Sequence, residues 1–220
     1  MSSIVKLSTD PDEDRLYPSE DREPVGETDW HMMALIWLRE ALEDHFAGRE
    51  DVKVASDMFL YYVEGDPSAC KAPDVMVIPG VNKRLRRTFK TWVEKALPSA
   101  IIEIASERTW QEDIGDKCTL YAQLGVPDYF VFDPEGSYLR PPLQGFRRKG
   151  QKYVRLAVGA EGSLTSKELG LRLIAEGPML RLIDPQTGQP IPTRKERIDA
   201  LAAEVARLQA AKSKRKGKKR

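Results

Sequence analysis

Soft metal donors are scarce in this 220-residue chain, which has two histidines and two cysteines. Cys70 and Cys118 are too far apart in sequence for a paired-cysteine zinc motif, and two thiols make no disulfide framework. His31 and His45 alone cannot build a histidine-rich metal centre. GxGxxG, GxxxxGK[ST], HExxH and GxSxG are all missing, so dinucleotide, P-loop, zincin and α/β-hydrolase chemistries lose their usual signatures. No run approaches the roughly 18 apolar residues of a membrane span, and MSSIVKLSTDPDEDR lacks the apolar stretch of a secretory signal. The expectation is a protein of the reducing cytoplasm with no membrane partner.

Net charge is also nearly absent, because 35 Lys and Arg stand against 34 Asp and Glu. That balance conceals an asymmetry. Residues 1–30 hold nine acids and three bases, whereas residues 212–220 hold seven bases and no acid. Both ends read as solvated segments too poor in apolar residues to build a core. The expected organisation is an acidic head over 1–26, one domain over 27–190, a helix over 191–211 and a basic, disordered tail over 212–220. A polybasic tail is a solubilising end or a phosphate-binding arm, and composition does not choose between them.

Within the body, Thr28 or Asp29 can cap a helix over about 30–47. Trp30, Met33, Ala34, Trp37, Leu38, Ala41 and Leu42 repeat every three or four residues, which predicts that this face is buried. VKVASDMFLYYVE (52–64), DVMVI (74–78), SAIIEIAS (99–106) and DYFVFDP (128–134) read as strands. Between the last two, a helix is expected from a capping box at Thr109 and Glu112 to a terminal Gly125. Hairpins follow, with turns near Lys149-Gly150 and Glu176-Gly177. The predicted class is α/β with a mixed sheet, C-terminal hairpins and a terminal helix. In that helix Ile198, Leu201, Val205 and Leu208 keep heptad a/d spacing for about two heptads. This suits either a helix packed on its own domain or partly frayed, or one that forms a homodimer or binds another partner.

Two carboxylates occupy unusual positions. Asp74 opens an apolar strand behind Pro73, and Glu103 interrupts IIEIA, where a carboxylate is costly to desolvate without a partner. Each has an ordinary explanation, as a turn residue and as an edge or ion-paired residue. Their 29-residue separation suits a chain returning to an adjacent strand. Asp113, Lys117 and Tyr121 lie one turn apart on one helical face. Two converging carboxylates make an oxygen site for Mg²⁺ or Mn²⁺, beside which an ammonium can orient water.

PDVMVI, followed by IIEIASERTWQEDIGDKCTLYAQLGVPDYFVFDP, resembles the Uma2 family within the PD-(D/E)XK nuclease superfamily. The resemblance spans roughly residues 17–190 and is most specific over 99–134. It implies a restriction-endonuclease-like core with flanking helices. It also implies metal ligation by Asp74, Glu103 and the Ile104 carbonyl. The superfamily lysine usually stands two residues after the glutamate, where this chain has Ala105. The family resembled takes it from the next helix, which implies Lys117. Glu27, His31 and Asp113 are implied as additional site residues, with Asp113 positioning Lys117 or capping the helix. Tyr121 is expected in the core.

The function implied is metal-dependent hydrolysis of nucleic-acid phosphodiesters, with DNA as the expected partner. Arg86, Arg87 and Lys90, in the basic loop 83–90, are the expected backbone contacts, although a solvated loop explains them equally well. The alternative is a catalytically silent nuclease fold that binds nucleic acid or protein through its tail and terminal helix.

Overall fold

The computed structural model describes residues 16–19 and 26–217. Most of the acidic head (1–15 and 20–25) and the end of the basic tail (218–220) lie outside the described residues. Helix α1 (Asp29–His45) leads to strands β1 (Val52–Ser56), β2 (Leu60–Tyr61), β3 (Cys70–Lys71), β4 (Val75–Pro79) and β5 (Phe89–Lys90). Helix α2 (Thr91–Glu94), strand β6 (Ala100–Ile104), helices α3 (Trp110–Ile114) and α4 (Asp116–Leu124) and strand β7 (Asp128–Phe132) follow. Strands β8 (Leu143–Lys149), β9 (Lys152–Arg155), β10 (Leu164–Ser166), β11 (Leu171–Glu176) and β12 (Met179–Ile183) precede helix α5 (Arg194–Gly217).

The main sheet runs β1-β4-β6-β7-β8-β9, antiparallel throughout except for the parallel pair β6–β7, which α3 and α4 connect. A parallel pair needs such a crossover, whereas the antiparallel pairs β1–β4 and β4–β6 are linked by longer excursions that carry β2, β3, β5 and α2, and within this sheet only β8–β9 closes as a tight hairpin. Strands β10-β11-β12 form one small sheet and β3-β2-β5 another. The mixed sheet with flanking helices is the expected class.

Alternation along the strands sorts the core into two layers. Val75, Val77, Ile102 and Ile104 face α1 and the β10–β12 sheet, packing with Leu38, Leu42, Leu171 and Leu182. Met76, Ile78 and Ile101 face the other way, toward Tyr121 of α4 and Tyr129. By the same parity Asp74 and Glu103 belong to the α4 side. Extending the register in which Val75 pairs with Ile102 sets Asp74 opposite Glu103.

Several local expectations are corrected. Trp30 and Met33 are 45% and 37% exposed, and His31 joins Ala34, Leu38, Ala41 and Leu42 on the buried face. Thr28 supplies the cap, accepting from the His31 amide at 3.2 Å. The Thr109–Glu112 capping box does not form, because Thr109 is itself helical in backbone and its hydroxyl accepts from the Ser106 amide. The single helix expected after it is broken at Gly115, where a Cβ would meet the Gln111 carbonyl oxygen at 2.9 Å. Gly125 closes α4 at φ 100°, a backbone region open mainly to glycine. The terminal helix extends through Gly217, so the basic run from Lys212 to Gly217 is continuous with it.

Candidate active site

The antiparallel register brings two carboxylates face to face, an arrangement that repels unless cations or donors intervene. Donors arrive from several elements. The Asp74 amide donates to Glu103 Oε2 at 3.2 Å, and the Ile104 amide donates to Asp74 Oδ2 at 2.6 Å. Each carboxylate is thus held by the backbone of the opposite strand. Just beyond β1, the Asp57 amide donates to the Pro73 and Asp74 carbonyls, which anchors the turn that presents Asp74.

Helices α3 and α4 bring the charge that balances them. Lys117 Nζ lies 3.3 Å from Glu103 Oε2 and 2.8 Å from Asp113 Oδ1. The Asp113 contact is an ion pair without hydrogen-bond angles, since neither Asp113 oxygen has a hydrogen-bond partner among the described residues. Asp113, near the end of α3, and Lys117, in the first turn of α4, meet four residues apart across the break at Gly115. Tyr129 secures α3 by donating to the Asp113 carbonyl at 2.7 Å.

Tyr121, one turn beyond Lys117, donates its hydroxyl hydrogen to Glu103 Oε1 at 2.9 Å. The sequence reading placed this residue in the core. It is fully buried there, and it is also a direct partner of the glutamate. Its spacing on the Lys117 face was the available signal, but a buried tyrosine looks the same with or without a carboxylate beneath its hydroxyl.

From the opposite layer, the first turns of α1 reach the same cluster. His31 Nε2 is 3.2 Å from Asp74 Oδ1, and Nδ1 is 3.7 Å from Glu27 Oε2. Nδ1 is buried without a hydrogen-bond partner among the described residues. The structure therefore brings Glu27, His31, Asp74, Glu103, Asp113 and Lys117 into one connected group. Asp74 and Glu27 are its more exposed members.

Burial dominates the ionisation of this group. It pushes the Glu103 carboxyl up to about 8, against the pull of Lys117 and with the help of Asp74 and Asp113. Asp113 is likewise raised by burial, opposed by Lys117. Burial disfavours the Lys117 ammonium, yet Glu103 and Asp113 outweigh it and raise its pKa. For His31 burial again opposes the cation, but Asp74, Glu27 and Glu103 prevail and raise it. Burial and Glu103 raise Tyr121 well above the ordinary phenol, so it remains a donor.

The start of the basic loop lies away from the carboxylates. Lys83 Nζ donates to the Phe46 and Ala47 carbonyls, beyond the C-terminal end of α1, whereas His31 sits near its N-terminal end. A helix of 17 residues is about 25 Å long, so the loop begins roughly that far from the carboxylates. Arg86 is turned inward, its side chain 4% exposed, bonded to both Glu94 oxygens at 2.8 and 3.0 Å. It also donates to the Asn82 and Arg84 carbonyls. These bonds pin the loop and leave little of the guanidinium for a phosphate. Arg87 is exposed, and Lys90 Nζ stands 4.5 Å over the Tyr17 ring.

Among the described residues no three His, Cys, Asp or Glu side chains form a metal cluster, and no helix is long and apolar enough to cross a membrane. Two facing carboxylates are nevertheless a hard-oxygen donor pair, and Mg²⁺ is usually held by one or two carboxylates with water completing its shell. The residues present fit such an ion.

No curated protein matches the chain. Among solved structures it is similar to "a putative nuclease belonging to DUF820" from Anabaena variabilis ATCC 29413, at 14% identity and a TM-score of 0.48. That match covers 67% of this chain and 76% of the other. Residues 20–179 match the Uma2 family, described as "Putative restriction endonuclease". A match over 160 of 220 residues, which includes the whole carboxylate–lysine group, supports a nuclease and shows that the chain belongs to the Uma2 family.

Proposed function

We propose that the protein is a divalent-metal-dependent endonuclease that hydrolyses phosphodiester bonds, with DNA as its substrate. The observation that carries this reading is the pairing of Asp74 with Glu103 across β4 and β6, with the Lys117 ammonium 3.3 Å from Glu103. Asp74, Glu103 and the Ile104 carbonyl would hold the ion. Mg²⁺ or Mn²⁺ bound there supplies positive charge against the phosphate and acidifies water.

The chain's own residues have distinct parts in the reaction. Lys117 stays protonated between its two carboxylates, so it acts as a cation and hydrogen donor rather than as a base. In that state it orients the attacking water and stabilises charge developing on the phosphoryl oxygens. As the water oxygen bonds to phosphorus the water releases a proton to bulk solvent, and the ester oxygen departs with the electron pair of the broken P–O bond and is protonated from solvent. Tyr121 and the Asp74 amide fix the Glu103 plane, so that little reorganisation accompanies the step. Asp113 positions Lys117, and Glu27 with His31 braces Asp74 from α1.

The test is cleavage of plasmid and oligonucleotide substrates in Mg²⁺, Mn²⁺ or EDTA, with Asp74→Ala and Lys117→Ala run beside the unaltered chain. Metal-dependent cutting that both variants lose is the expected result. Cutting that survives in both variants overturns the assignment of residues. A folded protein that binds nucleic acid, binds no metal and cuts nothing overturns the nuclease reading and leaves a silent binding module.

A further inference from the structure

Among the described residues, the ion pairs and cap bonds that attach helix α5 to the body all lie at its beginning. Thr193 and Glu196 form a reciprocal cap, the Thr193 amide donating to Glu196 Oε2 at 2.8 Å and the Glu196 amide to Thr193 Oγ1 at 3.2 Å. Arg194 pairs with Glu40 and Glu43, Arg197 with Asp44, and Glu196 with Arg181. Beyond that first turn the helix leaves the fold. Its 24 residues span about 36 Å. Ile198, Leu201, Val205 and Leu208 are between 51% and 65% exposed, a straight seam of large apolar side chains in water on a rod whose other positions are polar, charged, alanine or glycine.

We propose that this seam pairs with the same seam of a second copy of the chain, as a short parallel two-stranded coiled coil. Three observations select that occupant. Positions a are Ile198 and Val205, and positions d are Leu201 and Leu208. β-branched residues at a with leucine at d favour two parallel strands over higher orders. The flanks agree. In the parallel register Arg197 of one copy meets Ala202 of the other, and Glu204 meets Gln209, so no like charges face each other. An antiparallel pairing that matches the same four layers instead brings the two Glu204 side chains together on one flank. The seam also has a defined end, because the next a position is Lys212. The inference is independent of the nuclease reading, since it uses none of the site residues.

Two heptads make a weak zipper, so the mass of the full chain is to be followed by sedimentation from about 1 μM to about 1 mM. The expected result is a concentration-dependent shift from the 24.9 kDa chain to twice that mass. Leu201→Asn with Leu208→Asn should return it to monomer without changing the melting of the body. Leu208→Cys, in a chain whose Cys70 and Cys118 are replaced by serine, should form a disulfide-linked dimer under mild oxidation, because equivalent d positions adjoin only in the parallel form. A monomer at every concentration overturns the proposal, as does a dimer that survives the double asparagine variant. A dimer that loses its mass shift in that variant but never cross-links at 208 overturns the parallel arrangement.

Discussion

Tyr121 donates its hydroxyl hydrogen to Glu103 Oε1 at 2.9 Å while Lys117, one turn earlier on the same helix, lies 3.3 Å from Glu103 Oε2. The glutamate is thereby gripped on both oxygens by a single nine-residue helix, α4. Tyr121→Phe removes only the first grip. Leaving a buried carboxyl oxygen without its donor costs about 1–3 kcal/mol, and a loss of that size in urea unfolding is expected. Calorimetric titration with Mn²⁺ should show weaker binding alongside, which mere loss of packing would not produce. A variant as stable as the parent, with unaltered titration, would remove Tyr121 from the site.

Lys117 is the only cation within ion-pairing distance of Glu103 or Asp113 among the described residues. Lys117→Met therefore strands two buried carboxyl groups, and breaking a buried pair in this way costs about 3–5 kcal/mol. Adding Asp113→Asn should recover part of that stability without recovering cleavage. Double-mutant thermodynamics measures the coupling directly, and strict additivity of the two changes would show that the residues do not interact.

Acidity gives a signed prediction for the metal-free protein. Glu103 is raised from 4.5 to about 8 by burial, so the folded protein holds its proton over a range in which the unfolded chain has released it. Its contribution to stability is fully present below about 4.5 and fades as pH climbs through about 8. His31, also raised, acts in the same direction. Urea midpoints measured in EDTA between pH 5 and pH 9 should fall with pH more steeply in the parent than in Glu103→Gln. Parallel curves would contradict the shift.

Arg86 separates structure from binding. Arg86→Ala breaks the paired hydrogen bonds to Glu94 and those to two carbonyls, and a loss of about 1–3 kcal/mol is expected. The salt dependence of DNA binding should be unchanged, because a true phosphate contact removes about one unit from that slope. A flatter slope in Arg86→Ala would place the loop at the nucleic acid after all.

The strand carboxylates were legible because a charged residue among apolar neighbours is conspicuous, and because parity puts Asp74 and Glu103 on one side once they are paired. Lys117 was legible as a neighbour of Asp113 and Tyr121 on one helical face, whereas its role beside Glu103, fourteen residues away, came from the family resemblance. The placement of the basic loop was not legible, because a run of charge carries no direction in space. Its cations follow the far end of β4 from Asp74, a fact visible only once the strand is laid in the sheet. Trp30 and Met33 did mislead. Their helical spacing is sound, but the strip that reaches the sheet is offset toward His31, whose ring reaches Asp74. The break at Gly115 was hidden by a capping pattern that the backbone does not use.

Because Asp74 and Glu103 meet through strand register, a change in chain length matters more here than most changes in side-chain chemistry. Deleting one residue within β4 would rotate every later side chain of that strand to the opposite layer or pull Asp74 out of line with its partner. Deleting two would preserve the layers while shifting Asp74 by about 7 Å along the sheet. Evolutionary drift in this fold can therefore lengthen the turns freely, while β4 and β6 must keep step with each other residue by residue.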